Sequence, residues 1–276
     1  MGSFAGDEKK AVQYLIESLD DPRLTAYRHL KETNATRWAQ RFVAEGEKLV
    51  VRLLASGLAV ESLLVGQRHA ERFCDLGGPA LAVYVVPDAW IEQIVGFDFH
   101  RGVLACGQRP ARRQLSDLAA PTGVQTTVVV CPNVQDPENL GAILRLSGAF
   151  GVDAVLVGPD CPNPFSRRVL RVSMGAAFAL PIVEADDLET ELAALADAWG
   201  CERWGTVLDV SAEPLAGLVR PARLALLLGS EGHGLGPRWI AHCDRQVTIP
   251  MRPGTDSLNV AVATGIFLYQ LGQMTF

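Results

Sequence analysis

The apolar positions of this chain recur in short runs whose period keeps switching between that of a helix and that of a strand. Val12, Leu15, Ile16 and Leu19 stand at helical spacing before Asp20-Asp21-Pro22 breaks the run, which predicts a helical N-terminal extension over residues 1–32. The next stretch, residues 33–108, reads as a compact α/β unit. Helices are expected over 45–56, 69–74 and 88–94, interleaved with strands over 60–65, 82–85 and 102–106. Residues 109–122 combine Pro110, Pro121 and three arginines with little apolar periodicity, the composition of a linker, and the boundary is placed near Leu115.

After the linker, residues 126–130 read TTVVV, a β-branched run suited to a strand buried on both faces, and residues 154–157 form another. Further strands are expected over 179–183, 204–208, 224–228 and 246–249. Helices are expected over 137–149, 167–175, 188–199, 237–242 and 258–271. Strands alternating with helices imply a largely parallel sheet over residues 123–276. No repeat of fixed period is visible.

Length and composition narrow the picture. A chain of 276 residues, 49% hydrophobic and 20% charged, suits a globular protein of two domains. Its apolar runs are too short to span a membrane, and six cysteines without a Cys-x-x-Cys pair suit a reducing cytoplasm. The net charge of −6 is unevenly spread: residues 1–115 hold 15 Lys and Arg against 14 Asp and Glu, and the rest hold 10 against 17. Two arginine clusters, one at 109, 112 and 113 and one at 167, 168 and 171, leave room for a local phosphate-binding footprint. Solvated surface arginines explain them equally well.

Three motifs carry candidate chemistry. In NVQDPENLGAILR, residues 133–145, Asp136 suits an N-cap and Pro137 the first helical position. Leu140, Ile143, Leu144 and Ser147 would face the sheet, leaving Gly141 to clear space beside Arg145 on another face. An ordinary capped helix with an exposed arginine fits the same spacing. In LLLGSEGHGLG, residues 226–236, four glycines in eight residues let the backbone approach a ligand. A dinucleotide fingerprint fails there because Pro237 takes its third glycine position, and His233, His242 and Cys243 fit no common zinc spacing, so no metal is expected. In IPMRPGTDSLNVAVATGIFLYQLGQ, residues 249–273, Ser257 stands where a helix cap belongs and Asn259 follows among apolar neighbours.

In this order and at these separations, the three motifs resemble those of the SpoU-TrmH family of RNA ribose 2′-O-methyltransferases. The likeness extends over residues 37–273, taking in Phe42-Val43-Ala44-Glu45-Gly46, Gly102-Val103-Leu104-Ala105 and Ser173-Met174-Gly175-Ala176. The resemblance implies a parallel-sheet domain tied in a deep trefoil knot, preceded by a small RNA-binding domain. It also implies a homodimer packed around the knot and S-adenosylmethionine held bent among the loops. Backbone contacts to that cofactor fall on Gly229, Ile249 and Leu258, with Leu228 and Met251 lining its pocket. Arg145, Glu231, Ser257 and Asn259 match the polar residues of the active site, and Asn139 matches the first-motif Asn near the dimer seam.

Ser230 stands where many members have Asn or Ala, Ala261 where many have Ser, and the run at 97–100 departs from the family's lead-in, leaving RNA specificity open. Because a guanidinium is a poor base, Arg145 is assigned to clamping a phosphate and stabilising the developing alkoxide. Ser257 and Asn259 would orient the ribose and Glu231 would brace the loop. The expected partner is RNA, ribosomal ahead of transfer RNA. A protein of another class, an RNA binder that keeps the fold without catalysis, remains the alternative, against which the intact Arg145, Ser257 and Asn259 speak.

Overall fold

The computed structural model describes residues 11–28, 30, 40–99, 102–123, 125–230, 232, 234–252, 254 and 257–272. Two compact units emerge, residues 1–110 with 165–167, and residues 111–164 with 168–276.

The first unit comprises β1 (Val12–Leu15), β2 (Arg41–Glu45), α1 (Glu47–Ala55), β3 (Val60–Gly66), α2 (Ala70–Leu76), β4 (Ala82–Val86), α3 (Asp88–Val95) and β5 (Val103–Gln108). Its sheet runs β1-β4-β3-β5-β2, with β1 and β3 parallel to β4 and β5 antiparallel to both β3 and β2. Leu24, Tyr27, Leu64, Ile91 and Leu104 gather in one core cluster, where the Tyr27 hydroxyl lies 2.7 Å from that of Ser62.

Among the described residues, the helix expected around Val12 to Leu19 is not there. Val12 to Leu15 pair in parallel register with Ala82 to Val85, the Ile16 N–H donates to the Val85 carbonyl, and Ile16 is buried. The helical spacing of the apolar residues is overridden because the open edge of β4 pairs with the backbone groups that β1 turns toward it. The segment is thus part of the unit's core and sheet. β2, to which the apolar pattern assigned no element, is buried along Phe42 to Glu45.

The second unit comprises β6 (Thr126–Cys131), α4 (Pro137–Ala149), β7 (Ala154–Val157), α5 (Arg167–Val172), β8 (Ile182–Glu184), α6 (Leu188–Asp197), β9 (Glu202–Thr206), β10 (Glu213–Pro214), β11 (Arg223–Leu227), α7 (Pro237–Ile240), β12 (Arg245–Thr248) and α8 (Val260–Leu271). Its seven strands run β10-β12-β9-β11-β6-β7-β8, and every pairing is parallel. The all-apolar runs at the centre of the sheet are buried on both faces, as a sheet covered by helices on each side requires. Val128, Val130, Leu156, Leu192, Leu227 and Trp239 belong to one cluster. Gly265 of α8 lies against Leu146 of α4, and Phe150 meets Tyr269 edge-on at 6.5 Å, so α8 packs beside α4.

Three expectations change here. The supposed linker is partly core: Leu115 is buried in the second unit, and its N–H donates to Glu191 at 3.0 Å. Gly141 does not clear space for Arg145. It is buried, and a Cβ placed there would lie 2.7 Å from the Val172 Cβ and 3.0 Å from the Val169 carbonyl, so the glycine lets α4 approach α5. At least three of the six clustered arginines have protein partners: Arg112 pairs with Asp186, Arg168 with Glu138 at 2.7 Å, and Arg167, which belongs to the first unit, with Glu45 and the Leu30 carbonyl.

Candidate active site

Three parallel strands that neighbour one another in the sheet, β12, β9 and β11, end in loops that surround a cavity of about 690 Å³. A ligand site at the carboxyl ends of parallel strands is the general expectation for such sheets. After β11, Gly229 begins a tight turn in which Ser230 and Gly234 exchange both backbone hydrogen bonds, at 2.9 and 3.0 Å. A Cβ on Gly229 would come within 2.6 Å of Gly234 C and Leu235 N, so only glycine lets the turn close on itself. Gly232 and Gly234 supply the positive φ values of 83° and 64° that the turn needs.

After β12, Ile249, Met251, Ser257, Leu258 and Asn259 line the same cavity, and Val260 and Phe267 of α8 supply apolar wall. The cap of α8 is Asn259, correcting the assignment to Ser257. The Asn259 Oδ1 accepts from the N–H groups of Ala261 at 2.9 Å and Val262 at 3.2 Å, and the helix starts at Val260. Ser257 lies two residues earlier and lines the cavity. With Oδ1 committed to those donors, the Asn259 amide is oriented, and its Nδ2 donates to Asn139 Oδ1 at 2.8 Å. Asn139 is buried on α4, so this bond joins the first and third motifs.

The structure therefore brings Gly229, Ile249, Met251, Ser257, Leu258 and Asn259 to one cavity and attaches Asn139 behind it. Leu228 departs from expectation: it is buried, its N–H donates to the Val130 carbonyl, and it supports the turn from the sheet core without lining the cavity. Arg145 stands exposed on α4, outside the cavity of its own chain, with no side-chain partner among the described residues. Glu231 lies outside the described residues. The motifs did not disclose Thr206 and Asp209, which line the cavity from the end of β9, or Gln246 and Thr248 of β12. Thr206 Oγ1 donates to the Leu227 carbonyl at 3.0 Å, holding the ends of β9 and β11 together. Their only signal is position, at the carboxyl end of strands in a parallel sheet.

The sequence model of the SpoU rRNA Methylase family matches residues 126–269, the span that contains the whole cavity. The chain belongs to this family. Outside the matched span, the likeness of this SpoU methylase to individual relatives continues. An uncharacterized tRNA/rRNA methyltransferase of Mycobacterium bovis is 35% identical over 267 residues, covering 91% of this chain and 88% of the relative. The 23S rRNA (guanosine(2553)-2′-O)-methyltransferase RlmP of Bacillus subtilis is 26% identical over 93% of this chain and 98% of its own. Among solved structures, an AdoMet-bound rRNA methyltransferase from Sinorhizobium meliloti superposes with a TM-score of 0.80 at 27% identity, covering 94% of this chain and 97% of that one.

Proposed function

We propose that this SpoU methylase transfers the methyl group of S-adenosylmethionine to a ribose 2′-hydroxyl of RNA, with ribosomal RNA ahead of transfer RNA. One observation carries the reading most directly. The first and third motifs meet through Asn139 and Asn259, and Asn259 lines the same cavity as the glycine turn of the second. Relatives over most of the chain are named as 2′-O-methyltransferases of 23S rRNA.

The residues present suit the cofactor. At about 690 Å³ the cavity lies within the range of about 300–1,000 Å³ typical of small-molecule clefts. Buried Leu235, Val260 and Phe267 offer an apolar wall for an adenine ring, while Ser230, Ser257 and Asn259 offer polar groups. Gly229, Ile249 and Leu258 would hold the cofactor through their backbones and Met251 through its side chain, with Leu228 supporting from below. When bound, the cofactor supplies an electrophilic methyl on a sulfonium. Ser257 and Asn259 orient the ribose so that its 2′-oxygen meets that methyl in line, and positioning of this kind supplies much of a rate enhancement. Arg145 clamps the neighbouring phosphate and stabilises charge developing on the 2′-oxygen.

The fold around this site is read as the family's trefoil knot. In support, the chain leaves β12, passes the cavity and returns as α8 beside α4, the helix that follows β6, on the far side of β9 and β11. Residues 33–108 are read as the RNA-binding domain, residues 123–276 as the methyltransferase domain and the protein as a cytoplasmic homodimer. Six free cysteines suit that compartment. Val262, Ile266 and Tyr269 form an exposed apolar stripe on α8, 53%, 38% and 74% accessible, the kind of surface that a partner covers.

We infer a shared site, in which Arg145, which does not line the cavity of its own chain, reaches that of the partner. Co-expression of differently tagged Arg145→Ala and Asn259→Ala chains tests this. The isolated mixed dimer should regain roughly half of wild-type methyl transfer, because one of its two sites collects both defects. If each chain builds its own site, the mixed dimer stays as inactive as either parent. RNA binding without methyl transfer in the wild-type protein would instead favour a non-catalytic RNA binder.

A further inference from the structure

We propose that the carboxylate of Asp209 receives the α-ammonium group at the aminoacyl end of S-adenosylmethionine. This rests on the reading of the cavity as the cofactor site. Among the described residues that line the cavity, Asp209 is the only one with an ionisable side chain. Its Oδ1 accepts from the N–H of Ser211 at 2.8 Å and from the Ser211 hydroxyl at 2.7 Å. A third bond, from the Ala212 N–H to the Asp209 carbonyl at 3.2 Å, pins the turn. Oδ2 has no partner among the described residues. The two Ser211 donors, backbone first and hydroxyl second, hold the carboxyl below its ordinary range, so it is ionised at neutral pH. One oxygen is thus anchored, and the other is without a partner among the described residues on a side chain that lines the cavity.

Location selects the ligand group. The cofactor has a neutral adenine at one end, a ribose in the middle and a zwitterionic aminoacyl group at the other end. The uncharged ring belongs against buried Leu235, Val260 and Phe267, whereas charged groups keep their hydration at an exposed rim. Asp209 is exposed, and a carboxylate there attracts the ammonium and repels the carboxylate of the aminoacyl end. The residue therefore fixes which way that end points.

Titration calorimetry on full-length Asp209→Asn, with three ligands, tests the assignment. The amide keeps an oxygen for the Ser211 donors, so the turn survives while the charge is lost. An unchanged melting temperature would verify this. S-adenosylmethionine and S-adenosylhomocysteine should each bind about fivefold to tenfold more weakly. 5′-Methylthioadenosine, which lacks the aminoacyl end, should bind as it does to the wild type. An equal loss for methylthioadenosine would put Asp209 on the ribose diol, a loss confined to S-adenosylmethionine would put it on the sulfonium, and no loss would leave it without a role. Each of these three results overturns the proposal. Failure of the wild-type protein to bind S-adenosylmethionine would instead sink the reading of the cavity itself.

Discussion

Asn259 closes the first turn of α8 through its Oδ1 and holds Asn139 through its Nδ2, and substitution can separate the two tasks. Serine is as good a cap as asparagine but is too short to reach Asn139. Asn259→Ser should therefore unfold at nearly the wild-type denaturant concentration, and Asn259→Ala should lose about 1 kcal/mol. Both should lose methyl transfer, on the order of a hundredfold, since a displacement of about 1 Å at a reacting group costs that much. Wild-type turnover by the serine variant would show that the link to Asn139 is dispensable. That link was not legible in the sequence, because its partners are 120 positions apart and neither has a local pattern that demands the other. The glycine turn was legible from composition alone, since few other uses exist for so many glycines after a buried strand. Thr206 and Asp209 were missed because, read locally, they are only the end of a strand and the loop after it.

At the scale of elements, small residues and ion pairs set how closely neighbours approach. Gly141→Ala would improve the intrinsic helix propensity of α4 by about 1 kcal/mol. The added methyl, however, would meet the Val172 Cβ and the Val169 carbonyl of α5, a contact that involves backbone and cannot simply rotate away. Net destabilisation of roughly 1–3 kcal/mol is expected, and a rise in melting temperature would refute the close packing of α4 on α5. Arg203 of β9 and Asp244, next to β12, form a second such tie, with hydrogen bonds at 2.8 and 3.1 Å. The Arg203 side chain, more than its backbone N–H, holds the Asp244 carboxyl below its ordinary range. Its contribution to stability is thus complete above the ordinary carboxylate pKa and disappears as pH falls through the depressed value. Asp244→Asn should be less stable than wild type at pH 7, by under about 1 kcal/mol for so exposed a pair, and the difference should vanish in acid. A constant difference across pH would rule out the charge as its origin. Most helices and strands were legible from hydrophobic period, whereas β1 was not. Four residues at helical spacing also suit a strand, and only the distant edge of β4 decides between them.

For the molecule as a whole, burial decides which thiols can react. It pushes Cys106 up to about 12, with Glu61 adding to the effect, and Cys201 and Cys243 up to about 11. All three should stay protonated and resist iodoacetamide at pH 8 until guanidinium unfolds the chain, as mass spectrometry of the alkylated peptides would reveal. Native labelling at the denatured rate would contradict the burial. The two-unit division was legible only approximately, since composition marked the change but not that Leu115 had joined the second core. The order of the second sheet was not legible, because nothing local tells β9 to lie between β11 and β12. That order has a consequence for the timing of synthesis. The cavity wall begins at Thr206 and ends at Phe267, so its first and last contributors leave the ribosome well apart in time. A nascent chain that has made the first has no finished cavity, and it gains one only after α8 has been synthesised.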